Sequence, residues 1–129
     1  MPGRILMVEP DAFWAELLTR RFEELGYEVD LAGDWQSALT FMGGSTPAAI
    51  VLDAAVGPVA TSTLLHAIRS LPAAGVAGVV MLGHAGSPDE RSQAARFGVE
   101  RYVPKMSATP IEIVALATAL AARREFKRA

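Results

Sequence analysis

The segment Ala48–Asp53, with the sequence AAIVLD, decides the fold, because five apolar residues in a row run directly into a carboxylate. A short apolar run without polar alternation is typical of a parallel strand that is buried on both faces. The segment Arg101–Lys105, with the sequence RYVPK, is another short run that ends on a charged residue. Ligands collect at the carboxyl ends of parallel strands, so we expect Asp53 and Lys105 to meet across one crevice.

A third apolar run, Arg4–Val8, brings more carboxylates to the same edge of the predicted sheet. It is followed directly by Glu9, and Asp11 comes two residues later. Acidic side chains opposite a lysine suit a divalent cation and a phosphoryl group, because carboxylate oxygens bind the cation and the ammonium offsets phosphate charge.

Strands and helices alternate five times along the chain. The remaining predicted strands are Tyr27–Ala32 and Gly78–Leu82, and the predicted helices are Ala12–Leu25, Asp34–Met42, Thr61–Ser70, Ser87–Gly98 and Thr109–Arg124. Five β–α units with short connections predict one α/β domain over residues 1–129. Its sheet is expected to be parallel and doubly wound, with helices on both faces.

The last two helices have the clearest start signals. Ser87 and Thr109 each stand three residues before a glutamate, Glu90 and Glu112, with a proline directly after the hydroxyl residue. This spacing predicts a capping box, in which the hydroxyl and the glutamate each bind a free backbone N–H of the first turn.

Composition excludes several classes of protein. The chain has 129 residues, a formal net charge of −2 and no cysteine. This charge gives no general reason to bind nucleic acid, and no apolar run approaches the roughly 20 residues needed to cross a bilayer. The lack of cysteine excludes a disulfide scaffold and fits a cytoplasmic location.

The order and spacing of these segments resemble the receiver domain of bacterial response regulators in two-component signalling. The resemblance covers nearly the whole chain and rests on the strand leading into Glu9-Pro10-Asp11, on Ile50–Asp53, on Val79–Gly83 and on Gly98–Lys105. It implies a flavodoxin-like (βα)5 fold with the strand order 2-1-3-4-5. It also implies a signalling module that is not itself an enzyme.

The resemblance assigns a role to each candidate site residue. Asp53 is the expected phosphoacceptor, taking a phosphoryl group from a sensor histidine kinase or a phosphotransfer protein, and Lys105 pairs with the phosphoryl oxygens. Glu9 and Asp53 are the expected Mg²⁺ ligands, with Asp11 as a further candidate. Tyr102 matches an aromatic residue that changes rotamer in the family.

The chain departs from the family at several of these positions. Pro10 replaces the second acid, so we expect Mg²⁺ binding to be weak. Gly83 stands where the family has a Ser or Thr that binds the phosphoryl group, and His84 follows where a small residue is usual. Gly83→Thr is expected to increase the response to phosphorylation if the pocket is otherwise intact.

Three further readings remain open. The first is a pseudo-receiver that docks or dimerises without phosphorylation, which the missing hydroxyl favours. The second is a small phosphohydrolase with Asp53 as nucleophile, but residues 54–60 contain no second acid for general acid–base catalysis. The third is a nucleotide or flavin binder, which no glycine-rich phosphate loop supports.

The expected interaction surface comprises Ser87–Phe97, Arg101–Pro104 and Thr109–Arg124. It carries charges of both signs that can pair across a two-fold axis, so we expect a weak homodimer or partner site there.

Three other prominent side chains are expected to have no part in a binding site. His66 and His84 are expected to be exposed rather than metal ligands, and Trp14 is expected to lie in the core.

Overall fold

The computed structural model describes residues 3–71, 78–84 and 87–128, with the backbone alone for residues 124–128. The strands are β1 (Arg4–Val8), β2 (Glu28–Ala32), β3 (Ala49–Asp53), β4 (Gly78–Gly83) and β5 (Arg101–Pro104). The helices are α1 (Ala12–Glu24), α2 (Trp35–Gly44), α3 (Pro58–Arg69), α4 (Pro88–Arg96) and α5 (Pro110–Arg128). Within these residues, no helix is both long enough and apolar enough to cross a bilayer.

All five strands form one parallel sheet in the order β2-β1-β3-β4-β5. This confirms the predicted doubly wound architecture. The central strand β3 is buried along its whole length, which is why its sequence is apolar without alternation.

Alternate residues of the strands face two separate cores. On one face, Met7 and Val51 pack with Phe22 of α1 and Ile113 of α5. On the other face, residues of the same strands pack against α2 and α3, and Met81 packs against Ala94 of α4. The helices therefore cover both faces and leave the carboxyl edge of the sheet open for a site.

Several helix boundaries differ from the sequence prediction, among them the end of α5, which lies at Arg128 rather than Arg124. α3 begins at Pro58 rather than Thr61, because Gly57 turns the chain at a φ of 108° and Pro58 takes the first helical position. α2 continues through Gly43 and Gly44, where the sequence predicted a stop. Glycine is only a weak helix breaker, and the N–H of Ser45 still bonds to the carbonyl of Phe41.

At the amino edge of the sheet, Arg69 links α3 to residues 97–100, which precede β5. Its guanidinium donates to the carbonyls of Phe97 and Gly98, both at 2.8 Å, and lies 3.3 Å from Oε1 of Glu100. The same Glu100 oxygen accepts the N–H of Val79 at 2.8 Å. Glu100 therefore bonds to both α3 and β4 within the chain.

Candidate phosphoryl-transfer site

Three strand ends bring Glu9, Asp53 and Lys105 together, and we call this cluster the Asp53 pocket. Glu9 follows β1, Asp53 closes β3, and Lys105 follows β5. Because β4 separates β3 from β5, only a long side chain can reach across. The Lys105 ammonium donates to Oε1 of Glu9 at 2.6 Å and to Oδ2 of Asp53 at 2.5 Å.

Both carboxyl groups of the pocket are removed from bulk water, since Glu9 and Asp53 are each only 2% exposed. The second oxygen of Asp53, Oδ1, accepts the backbone N–H of Ala55 at 2.8 Å. The second oxygen of Glu9, Oε2, is buried and accepts no hydrogen bond from a described residue. An ionised oxygen is costly to bury in this way, which favours a proton on Glu9 until a cation binds in the pocket.

The two carboxyl groups differ in protonation. Burial raises the pKa of Glu9 to about 8, the hydrogen bond with Asp53 adds to this, and Lys105 opposes it. Burial also acts to raise the pKa of Asp53, but hydrogen bonds from Glu9, Lys105 and the N–H of Ala55 outweigh it and lower that pKa. At neutral pH the pocket therefore holds one ammonium, one carboxylate on Asp53 and one proton on Glu9.

Trp14 packs against the core, as the sequence predicted, and it also lies beside the Asp53 pocket. The Lys105 ammonium is 4.9 Å from the centre of the Trp14 ring, a cation–π contact. Trp14 is partly buried and packs at the margin of the core. Its place at the start of α1 gave no signal of this contact, because the lysine comes from the far end of the chain.

Asp11, which the sequence suggested as a further metal ligand, has a structural role in the fold. It is the N-cap of α1, and its Oδ1 accepts the N–H groups of Phe13 at 2.9 Å and Trp14 at 3.2 Å. In the described part of the chain, no three acidic, histidine or cysteine side chains are grouped as a metal site. Glu9 and Asp53 still fit Mg²⁺, which often takes only one or two carboxylates and keeps several waters.

The two switch positions, Gly83 and Tyr102, lie against each other. A Cβ atom at Gly83 would collide with Oη of Tyr102 and Oε1 of Glu90. The Tyr102 hydroxyl donates to Oε1 of Glu90 at 2.8 Å and is 3.1 Å from the carbonyl of His84. The space in which a serine or threonine side chain would begin is therefore occupied by another residue.

Glu90 does not complete the capping box predicted for α4. Ser87 does accept the N–H of Glu90, at 3.4 Å. The Glu90 carboxylate, however, accepts the N–H of His84 at 2.8 Å and lies 3.0 Å from the His84 ring. The capping box was predicted from the spacing of Ser87 and Glu90 alone. In the structure, the Glu90 carboxylate bonds to His84 and Tyr102 instead of completing the cap.

Comparison with known proteins shows one family. The family model described as the response regulator receiver domain matches residues 5–118. The response regulator MprA of Mycolicibacterium vanbaalenii is 32% identical over 109 residues, which cover 81% of this chain and 45% of that protein. The chain thus spans about half the length of the curated relatives it matches.

Solved structures with the same fold include further receiver domains. A CheY-like receiver domain protein from Methanospirillum hungatei has a TM-score of 0.84 at 18% identity and covers 98% of this chain and 99% of that chain. A putative response regulator from Chloroflexus aurantiacus has a TM-score of 0.80 at 25% identity, covering 95% and 99%. A response regulator from Burkholderia pseudomallei, solved with a phosphorylated aspartic acid, a calcium ion and citrate, has a TM-score of 0.77 at 24% identity, covering 98% and 73%.

Proposed function

The chain belongs to the family of response regulator receiver domains, and from this premise we propose that Asp53 accepts a phosphoryl group in two-component signalling. The observation that carries the proposal is the bridge from the Lys105 ammonium to both Asp53 and Glu9. It places a cation directly against the carboxylate that would be phosphorylated. A phosphorylated aspartic acid in the Burkholderia pseudomallei relative supports the same chemistry.

The proposed step is a transfer between two side chains. A carboxylate oxygen of Asp53 forms a bond to phosphorus, the P–N bond to the donor's imidazole breaks, and its electrons stay on the nitrogen. The lowered pKa of Asp53 keeps this nucleophile ionised at neutral pH. Lys105 offsets the charge on the phosphoryl oxygens, and little further chemistry is required of the protein in such a transfer.

Glu9 and Asp53 would hold a Mg²⁺ ion in the pocket. When bound, the ion neutralises charge on the transferring phosphoryl group. Oε2 of Glu9, which is buried and accepts no hydrogen bond from a described residue, would become a ligand once Glu9 has lost its proton. With two carboxylates instead of three, and with the high pKa of Glu9 opposing its ionisation, the site is expected to bind Mg²⁺ weakly.

The test of this function is mass spectrometry of the intact protein after incubation with acetyl phosphate and Mg²⁺. We expect the unmodified chain to gain one phosphoryl group and Asp53→Asn to gain none. Asp11→Asn is the matched control, because it makes the same change at the same edge and asparagine still caps α1. Absence of phosphoryl addition to the unmodified chain, or addition to Asp53→Asn, would contradict the proposal.

Exposed apolar side chains follow the strands that carry the pocket and support docking of a phosphodonor protein, a sensor histidine kinase or a phosphotransfer protein. Phe13, Val59 and Met106 are 71%, 79% and 87% exposed, and they follow the same strands as Glu9, Asp53 and Lys105. Large exposed apolar residues gathered at one place commonly mark a protein interface.

We predict that replacing both Phe13 and Met106 with serine slows phosphotransfer from a phosphorylated histidine kinase by about tenfold or more, the typical cost of losing an interface anchor. Phosphorylation by acetyl phosphate should not change, since the pocket itself is intact. Leu25→Ser is the control, because Leu25 is also exposed but lies at the other end of α1. Equal slowing with both donors would place the defect in the pocket instead.

The pseudo-receiver alternative, a docking or dimerisation module that works without phosphorylation, is favoured by the missing hydroxyl at Gly83. The homodimer through Ser87–Phe97, Arg101–Pro104 and Thr109–Arg124 stays a prediction, as does a cytoplasmic location.

The phosphohydrolase hypothesis is not supported, because the turn Ala54–Val56 that follows Asp53 carries no acid. Receiver domains are signalling modules, and we propose no enzymatic activity for this one.

A further inference from the structure

The space beside Gly83 is filled by a residue from another strand. The ring and hydroxyl of Tyr102 lie so close to Gly83 that any side chain there would have to displace them. A side chain at position 83 would therefore compete with the Tyr102 ring for the same space. The absent side chain of Gly83 and the inward position of Tyr102 are two parts of one arrangement.

Glu90 is the centre of this arrangement. One of its carboxylate oxygens accepts both the Tyr102 hydroxyl and the backbone N–H of His84, each at 2.8 Å. The other oxygen lies 3.0 Å from Nδ1 of the His84 ring. His84 directly after β4, the first turn of α4 and strand β5 are therefore linked through one carboxylate.

The charges around Tyr102 strengthen these bonds. Although burial acts in the other direction, hydrogen bonds from His84 and Tyr102 lower the pKa of Glu90, so the acceptor is ionised. Burial, together with Glu90, raises the pKa of Tyr102 to about 12, so the phenol keeps its proton. Hydrogen bonds to an ionised acceptor are stronger than neutral ones. On the outer side, the Arg91 guanidinium lies 4.7 Å from the centre of the Tyr102 ring.

We propose that Glu90 is a positioning residue that holds Tyr102 in the space beside Gly83, so that α4 and β5 keep one conformation whether or not Asp53 is phosphorylated. The second half of this statement rests on the proposed function. A ligand shifts a conformational equilibrium only by its different affinity for the two states. Gly83 offers no side chain to a phosphoryl group, and the Tyr102 hydroxyl proton is already donated to Glu90.

The first experiment measures the position of Tyr102 by NMR in Glu90→Ala. The unmodified chain should show nuclear Overhauser contacts between the Tyr102 ring and the Gly83 α-protons. Glu90→Ala should lose them, and exchange of the His84 amide should become about tenfold faster, the expected effect of losing a hydrogen bond to a charged group. Asp89→Ala, in the same exposed turn, is the control and should change neither. Glu90→Gln keeps an acceptor oxygen and should retain the contacts.

A second variant changes Gly83 rather than Glu90 and tests the same contacts. Gly83→Ala places a methyl group where Tyr102 and Glu90 now lie, so it should also abolish the ring contacts. Persistence of the Tyr102–Gly83 contacts in Glu90→Ala would overturn the positioning role. Loss of the contacts in Asp89→Ala to the same extent would also overturn it, because the effect would then belong to the helix turn.

The final arm adds beryllium fluoride with Mg²⁺, a mimic of the phosphoryl group. In the unmodified chain we expect amide shifts at residues 53–55 and unchanged Tyr102 contacts, whereas in Glu90→Ala the Tyr102 signals should respond. Loss of the Tyr102–Gly83 contacts in the unmodified chain on binding would overturn the proposal. Without any shift at residues 53–55, the proposed function fails, and the Glu90 variants still decide the positioning role.

Discussion

Replacing Lys105 with methionine is expected to lower the free energy of unfolding by about 3 kcal/mol at pH 7, the typical cost of removing one partner of a buried ion pair. Lys105 is the cation that bonds both Glu9 and Asp53, and those two carboxyl groups are nearly inaccessible to water. Methionine keeps the length and apolar stem of the side chain, so the loss reports mainly the charge. Urea denaturation followed by circular dichroism measures it.

The pH dependence of this loss provides a second check. Without the ammonium, both carboxyl groups hold protons more tightly in the folded state than in the unfolded chain. The folded state then binds more protons, so the stability of Lys105→Met should fall increasingly as the pH rises above about 4. Lys105→Arg retains a cation and should lose clearly less. A loss below about 1 kcal/mol in Lys105→Met would mean that water reaches the carboxyl groups after the substitution.

The unmodified chain is itself expected to lose stability as the pH rises from about 5 to about 8. The pKa of Glu9 is raised from 4.5 to about 8 on folding, so over this window the folded state holds a proton that the unfolded chain has released. A raised pKa contributes stability fully below the unfolded value and loses it as the pH rises, here by roughly 1 kcal/mol for each pH unit. Asp53 acts in a separate window, since its lowered pKa costs stability only in acid.

Glu9→Gln should remove most of this slope, because glutamine resembles the protonated acid in shape and does not titrate. At pH 8 the variant should be at least as stable as the unmodified chain, and at pH 5 it should differ little. Glu16→Gln is the control, because Glu16 lies on the exposed face of α1 and its substitution should leave the slope unchanged. Urea denaturation at a series of pH values tests this, and equal slopes in Glu9→Gln and the unmodified chain would show that Glu9 is ionised when folded.

The structure changes what is expected of a threonine at position 83. Threonine at position 83 was expected to increase the response to phosphorylation in an otherwise intact pocket. The structure shows that a side chain there must first displace Tyr102 and Glu90. The substitution would therefore have to move the Tyr102 and Glu90 side chains before it could bind a phosphoryl group.

The fold and the meeting of Asp53 with Lys105 followed from the sequence alone. Buried parallel strands must be apolar on both faces, so β3 was visible as a run and its final carboxylate marked the open edge. The alternation of strands with helices then left few topologies, and parallel strands place all of their carboxyl ends on one side. Backbone pattern and chain order were sufficient for these conclusions.

Only the tertiary structure decided which partners several of the side chains contact. Glu90 had the spacing of a helix cap and Trp14 that of a core residue, but both also contact a residue from a distant segment. The Glu90 carboxylate accepts the Tyr102 hydroxyl, and the Lys105 ammonium lies over the Trp14 ring. Asp11, a candidate ligand from the sequence, caps α1 through local hydrogen bonds. The sequence spacing shows which partners a side chain can reach within its own helix or strand. It does not show which donors and acceptors other strands bring next to that side chain. A buried side chain bonds to the stronger partner, so the choice is made only when the strands assemble.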